Sequence, residues 1–136
     1  PIFSLVEYGR LYNWYSVGDV RDLCPNGWHV STDEDWTALV ENVGGSGEPG
    51  NELKHENGWA EGGLGTNSSG FSALPGGGRY SSGSNGFAGK FGIWWTATPS
   101  GTGIYRRRIS NNEGFVFRDT DPPVQGYSVR CIQDAE

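Results

Sequence analysis

Three consecutive arginines, Arg106-Arg107-Arg108, form the densest run of ligand-gripping chemistry in the chain. Guanidinium forks match oxyanions bidentately, so the run suits a phosphate, a sulfate or an acidic sugar. On a strand the side chains alternate, which puts Arg106 and Arg108 on one face and Arg107 on the other. Tyr105, Phe115 and Phe117 lie beside them, and Tyr and Arg are the usual anchors of binding surfaces. The plainer alternative is a solvated edge strand whose charges discourage aggregation. Around the run, hydroxyls, amides and a carboxylate complete a candidate ligand-binding set: Thr98, Ser100, Thr102, Tyr105, Arg106, Arg108, Ser110, Asn112, Phe115, Phe117 and Asp119. Rigid rings with adaptable polar neighbours are the makeup of a recognition surface.

Catalytic chemistry is thinner, and the chain is expected not to be an enzyme. His29 lies between Trp28 and Val30 and reads as a core hydrogen bonder, not a base; His55 has no evident nucleophile beside it. A Ser-His-Asp triad needs only to meet in space, so the sequence leaves it open. Gly76-Gly77-Gly78 lacks the strand–glycine–helix setting and the Lys-Ser/Thr of a phosphate loop. It reads as a tight turn against a neighbouring aromatic. Asn67-Ser68-Ser69 is a glycosylation sequon, which matters only in a host that uses it.

Cys24 and Cys131 are the two cysteines. With no Cys-x-x-Cys and only two histidines they make a poor zinc set. A bridge between them would close a loop of about 107 residues, worth on the order of 4–5 kcal/mol in the chain-entropy model. The alternative is two buried free thiols. A bridge implies an oxidising compartment.

Composition bounds the class. The 136 residues make one domain, 1–136, rich in glycine (23) but carrying six each of Trp, Tyr and Phe, enough rings for an aromatic core. A formal charge of −6 argues against nucleic acid as partner. No run approaches the roughly 20 apolar residues of a membrane span. The chain begins at Pro1 with no signal peptide, which is expected of a mature form or a fragment.

The elements that must position these residues follow from pattern. Residues 1–23 alternate around Leu11-Tyr12-Asn13-Trp14-Tyr15 and read as a strand and turn. Ser31-x-x-Glu34 has capping-box spacing, with Thr32 and Asp35 one residue later as the alternative. Trp36, Leu39, Val40 and Val43 make the apolar stripe of a helix, and Gly44-Gly45 ends it with a left-handed glycine. A helical turn is expected over Asn51–His55. From Gly44 to Gly92 the chain reads as coil pinned by Trp59, Phe71, Tyr80, Phe87 and Phe91. Strands are expected at Ile93–Ala97, Gly103–Ser110, Gly114–Arg118 and Gly126–Ile132, forming a small antiparallel sheet over buried Trp28, Trp36, Trp94 and Trp95. The fold class is α+β.

The series Cys24-Pro25-x-Gly27-Trp28-His29-Val30, Glu34-x-Trp36, Leu53-Lys54, Asn67-x-Ser69-Gly70-Phe71-x-Ala73-Leu74-Pro75-Gly76-Gly77-x-Arg79, Trp94-Trp95 and Ser128-Val129-Arg130-Cys131 resembles the Fibrobacter succinogenes major paralogous domain family, from about Gly9 to Asp134. The resemblance implies a C-type lectin-like fold with long ordered loops, distantly similar to formylglycine-generating sulfatase-modifying domains. It also implies a bacterial protein, secreted, surface-displayed or lipid-anchored, or part of a phage particle. The function it implies is display of a C-terminal loop and strand surface to a protein or glycan on a cell or phage; an adhesive repeat module is the alternative. A divergent formylglycine-type enzyme is a further alternative. Some domains of that fold are targets of diversity-generating retroelements, and in this chain the zone would be Thr96–Thr120, with Ile104, Arg107 and Ile109 fixed and Tyr105, Arg106 and Arg108 free. Arg107 would then be structural, paired with a carboxylate. Many lectin-like folds bind calcium, which is the one cofactor the resemblance raises; otherwise none is expected. Glu48-Pro49-Gly50-Asn51 resembles the lectin Glu-Pro-Asn motif, but Gly50 interrupts it, and Asp119 and Asp121 lack a third carboxylate.

Overall fold

The computed structural model describes residues 7–44, 47–63 and 65–135. Its elements are α1 (Trp14–Val17), β1 (Trp28–Val30), α2 (Asp33–Val43), α3 (Pro49–Leu53), β2 (Gly78–Arg79), β3 (Asn85–Gly86), β4 (Phe91–Ser100), β5 (Gly103–Ser110), β6 (Val116–Asp121) and β7 (Cys131–Gln133). The strands form antiparallel sheets in the orders β1-β7, β2-β3 and β4-β5-β6. The architecture is therefore α+β, with three small sheets among the described residues where a single one is expected from sequence.

Helix α2 shows how competing hydroxyls are resolved. Thr32 is its N-cap: its hydroxyl accepts from the Asp35 amide at 3.1 Å, and the Asp35 carboxylate accepts from the Thr32 amide at 3.0 Å. The Ser31 hydroxyl is committed elsewhere, accepting the Trp36 indole N–H at 3.0 Å inside the core. The alternative box is thus the one formed. Gly44 caps the other end at φ −78°, outside the left-handed region; Gly45 falls outside the described residues. Helix α3 runs from Pro49 to Leu53, two residues earlier than expected, because Pro49 suits the first helical turn.

The three-stranded sheet separates two cores. Trp94 and Ile109 on one face meet Trp36, Leu53, Trp59 and Ala73, with Leu39 and Val43 of the α2 stripe packed against them. Ile93, Trp95 and Ile104 on the other face meet Tyr127. Trp28 belongs to neither: it is 44% exposed, because β1 pairs with β7 at the margin of the domain. The expected strand over residues 126–132 shortens to β7, and its first half joins the sheets through single bridges, Tyr12 to Tyr127 and Trp94 to Ser128. The expected strand at 114–118 begins and ends later, as β6. In the 1–23 stretch the Tyr12 bridge and helix α1 stand where a strand is expected; residues 1–6 lie outside the described set.

Cys24 and Cys131 are bonded, with Cα atoms 5.9 Å apart, which excludes the free-thiol alternative. The irregular middle is ordered by backbone and ring contacts. The Trp59 indole donates to the Ala73 carbonyl at 3.0 Å, and Gly50 N–H to the Gly114 carbonyl at 2.8 Å. A Cβ on Gly50 would lie 2.7 Å from the Phe115 carbonyl oxygen, so glycine is required where α3 meets the β5–β6 turn. At Gly78 a Cβ would lie 2.9 Å from the Tyr127 ring, and the triple glycine is a close approach to an aromatic, as its sequence suggests.

Candidate functional site

Strand register divides the arginine run between two faces. Arg107 opposes Trp94 and Arg118, while Arg106 opposes Trp95 and Asp119, and Arg108 opposes Ile93 and Phe117. On the helix face Arg107 is buried and donates to the Asp33 carboxylate at 3.0 Å, to the Asp33 carbonyl at 3.2 Å and to the Thr37 hydroxyl at 3.0 Å. Arg118 reaches the same carboxylate at 2.7 Å from the solvent side. Burial pushes the Asp33 pKa up, but hydrogen bonds from Arg118 and Arg107 outweigh it, leaving the carboxyl below the ordinary aspartate value. Asp33 is thus the clasp between α2 and the sheet, and Arg107 has the structural carboxylate pairing its place in the run implies.

Thr98 and Tyr105 belong to this clasp. The Thr98 hydroxyl accepts the Asp33 amide at 3.0 Å. The Tyr105 ring lies 3.9 Å beneath the Arg118 guanidinium, and hydrogen bonding with Ser100, with the Arg118 charge, holds its phenol below the usual tyrosine pKa. Thr102 and Asn112 are exposed at the two hairpin turns. Ser110 is a correction: it is 3% exposed and offers no surface for a ligand.

The second face holds the rest. Arg106 donates to Asp121 at 2.8 Å, and Tyr127 donates to the same oxygen at 2.6 Å. Burial first, then that bond to Asp121, drives the Tyr127 pKa upward. Asp119 stands 3.9 Å from Arg106 and is exposed. Arg106 is therefore ion-paired and largely buried, not free. Toward the start of β4, the Arg108 guanidinium is sandwiched between Phe91 at 4.7 Å and Phe117 at 4.6 Å. Phe91 stacks on Phe87 at 4.7 Å, Phe87 meets Tyr80 edge-on at 6.0 Å, and Phe117 meets Phe115 edge-on at 6.2 Å. A continuous row results: Tyr80, Phe87, Phe91, Arg108, Phe117, Phe115. Two of its phenylalanines are open to solvent, Phe87 at 49% and Phe115 at 57%.

Sequence reasoning reaches the β5–β6 half of that row and misses Phe87 and Phe91, which it assigns to pinning the coil. The signal lies in the Phe87-x-x-x-Phe91 spacing, where the tight turn between them bonds the Phe91 amide to the Phe87 carbonyl at 2.9 Å and stacks the rings.

The family model of the Fibrobacter succinogenes major domain matches residues 4–133. The chain belongs to that family. No curated protein and no solved structure matches it. In this major domain the motif residues separate by role. Leu53 and Trp94 build the core, and Lys54 is buried with its ammonium bonded to the carbonyls of Glu113 at 3.0 Å and Asn111 at 3.4 Å. Lys54 so fixes the turn that delivers Phe115. His29 departs from the core role expected of it. It is 41% exposed and bridges two carboxylates, Asp134 at 2.6 Å and Asp35 at 2.8 Å, whose hydrogen bonds raise its pKa. His55 accepts the Asn57 amide at 3.0 Å. Among the described residues no group of three or more His, Cys, Asp or Glu side chains gathers to hold a metal ion.

Proposed function

We propose that this domain is an extracellular or surface-displayed binding module of C-type lectin-like design that presents the aromatic–arginine row to a protein or glycan ligand. The observation that carries this reading is the row itself: six side chains in sequence of contact, with two half-exposed phenylalanines, on a covalently closed frame. Exposed rings beside a guanidinium are the composition of interface hot spots. The bonded cysteines favour an oxidising compartment. They also speak against a formylglycine-type mechanism, which works through free thiols, and no free cysteine is present among the described residues.

The test is a glycan array combined with capture from surface extracts, run on the parent and on Phe87→Ala/Phe115→Ala. Both rings are half-exposed, so the variant is expected to melt within about 2 °C of the parent, surface substitutions being near neutral. Loss of the captured ligand at unchanged melting temperature supports the reading. Retention of full binding by the variant refutes it.

A further inference from the structure

The face where residues 8–12 meet the β2–β3 hairpin carries cavities of about 690, 500 and 230 Å³. They adjoin, since Tyr8, Arg10 and Tyr12 line both the largest and the smallest, and Leu11 and Arg79 line both the largest and the middle one. The chain carries 16 acidic residues against 10 basic ones, yet no acidic side chain lines any of these three cavities among the described residues. Three arginines do: Arg10, Arg79 and Arg130. Elsewhere Arg21, Arg106, Arg107 and Arg118 each meet a carboxylate and Arg108 is held between Phe91 and Phe117, whereas these three form no ion pair among the described residues.

Arg10 and Arg79 are exposed, so water solvates their guanidinium groups and an anionic ligand can reach both. Arg130 is the least exposed of the three. Its guanidinium stacks 3.9 Å over Phe71 and donates to the Phe71 carbonyl at 3.0 Å, and burial pulls its pKa below the ordinary arginine value with no acid opposing it.

The walls are rigid. Tyr12 exchanges backbone hydrogen bonds with Tyr127 at 2.8 and 2.9 Å, and its carbonyl accepts the Trp95 indole at 2.8 Å. Arg79 exchanges bonds with Gly126 at 2.8 and 2.6 Å. Preorganised walls reduce the entropy lost on binding. Tyr8, Tyr12 and Phe87 add apolar faces and Asn85 an amide. A bare ion fills little of a cleft this size; a sugar ring carrying an acid group fits its mixture of forks, rings and amide.

We propose that this cleft binds an anionic oligosaccharide, its carboxylate or sulfate groups held by Arg10 and Arg79 in the open part and by Arg130 at the inner end. The site shares Phe87 with the aromatic row and is distinct from the row's β5–β6 part.

The test is calorimetric titration of the full chain with oligogalacturonate, with dextran sulfate and with neutral dextran. The first two arms separate carboxylate from sulfate recognition, and binding to either that weakens with added salt is the expected result. Arg10→Ala and Arg79→Ala are each expected to lose about tenfold in affinity, the worth of a charge-assisted hydrogen bond. Arg79→Lys is expected to recover part of its loss. Glu7 adjoins Tyr8, whose phenol its negative charge influences, so Glu7→Gln is expected to tighten binding. Phe115→Ala is expected to leave it unchanged, which keeps this result separate from any failure of the aromatic row. Equal binding of neutral dextran, no binding to either anionic polymer, or an Arg10→Ala/Arg79→Ala variant that binds like the parent would each overturn the proposal. Competition by inorganic sulfate alone as effective as by the sugar would also overturn it.

Discussion

Removing the Asp33 carboxylate is the sharpest perturbation of the frame. Asp33 is 7% exposed and its oxygens take hydrogen bonds from Arg107 at 3.0 and 3.3 Å and from Arg118 at 2.7, 3.0 and 3.1 Å. Arg107 is itself 4% exposed, so in Asp33→Ala it stays charged with one carbonyl and one hydroxyl left as partners. Breaking a buried pair by deleting one partner costs about 3–5 kcal/mol. In a domain this size that corresponds to a fall in melting temperature of about 10–15 °C. Circular dichroism melts and urea titrations of the parent, Asp33→Ala and Asp33→Ala/Arg107→Met measure it. Since a buried charge without its partner is the penalty, the double variant is expected to be more stable than the single one. The dependence on pH has a definite sign. The Asp33 pKa is lowered on folding, so its contribution is present above the unfolded aspartate pKa and is lost as pH falls through the folded value. A loss under about 1 kcal/mol in Asp33→Ala, or a double variant less stable than the single, would refute the clasp.

Cys24→Ser/Cys131→Ser is expected to lose on the order of 4 kcal/mol, set by the 107-residue separation of the bridged positions, and reduction of the parent to lower the urea midpoint similarly. His29 gives the opposite pH sign to Asp33. Its pKa is raised by Asp134 and Asp35, so its contribution is present below the unfolded histidine pKa and is lost as pH rises through the folded value. His29→Gln is expected to flatten the stability–pH curve in that window, and an unchanged curve would refute the bridge.

What is legible in the sequence follows physical locality. The α2 stripe, its cap and the β4–β5 hairpin depend on residues within a few positions of each other, and their pattern matches the structure but for the choice between two adjacent capping boxes and the end of α2 at Gly44, which is not left-handed. That choice is decided by the Trp36 indole taking the Ser31 hydroxyl, an interaction visible only once the core closes. The alternation rule correctly separates Arg107 from Arg106 and Arg108. It has no means of showing that Asp121 and Phe91 wait on the other face, because β6 register and a distant turn bring them there. Ser110 misleads for the same reason: exposure of a strand residue depends on what covers it. The arginine-lined cleft leaves no mark at all, since Arg10, Arg79 and Arg130 are far apart in the chain and meet only through the Tyr12–Tyr127 and Arg79–Gly126 bridges.

The bond between Cys24 and Cys131 also governs how the molecule behaves under tension. A pull on the chain outside these positions passes through one covalent link spanning 5.9 Å between Cα atoms. The chain between them, a sequence separation of 107, then adds no length, withholding roughly 360 Å of extension at about 3.4 Å per residue. Load applied through the flanks would therefore bypass the aromatic row, which lies wholly between Cys24 and Cys131, whereas residues 8–12 lie outside the bridged loop and would bear it.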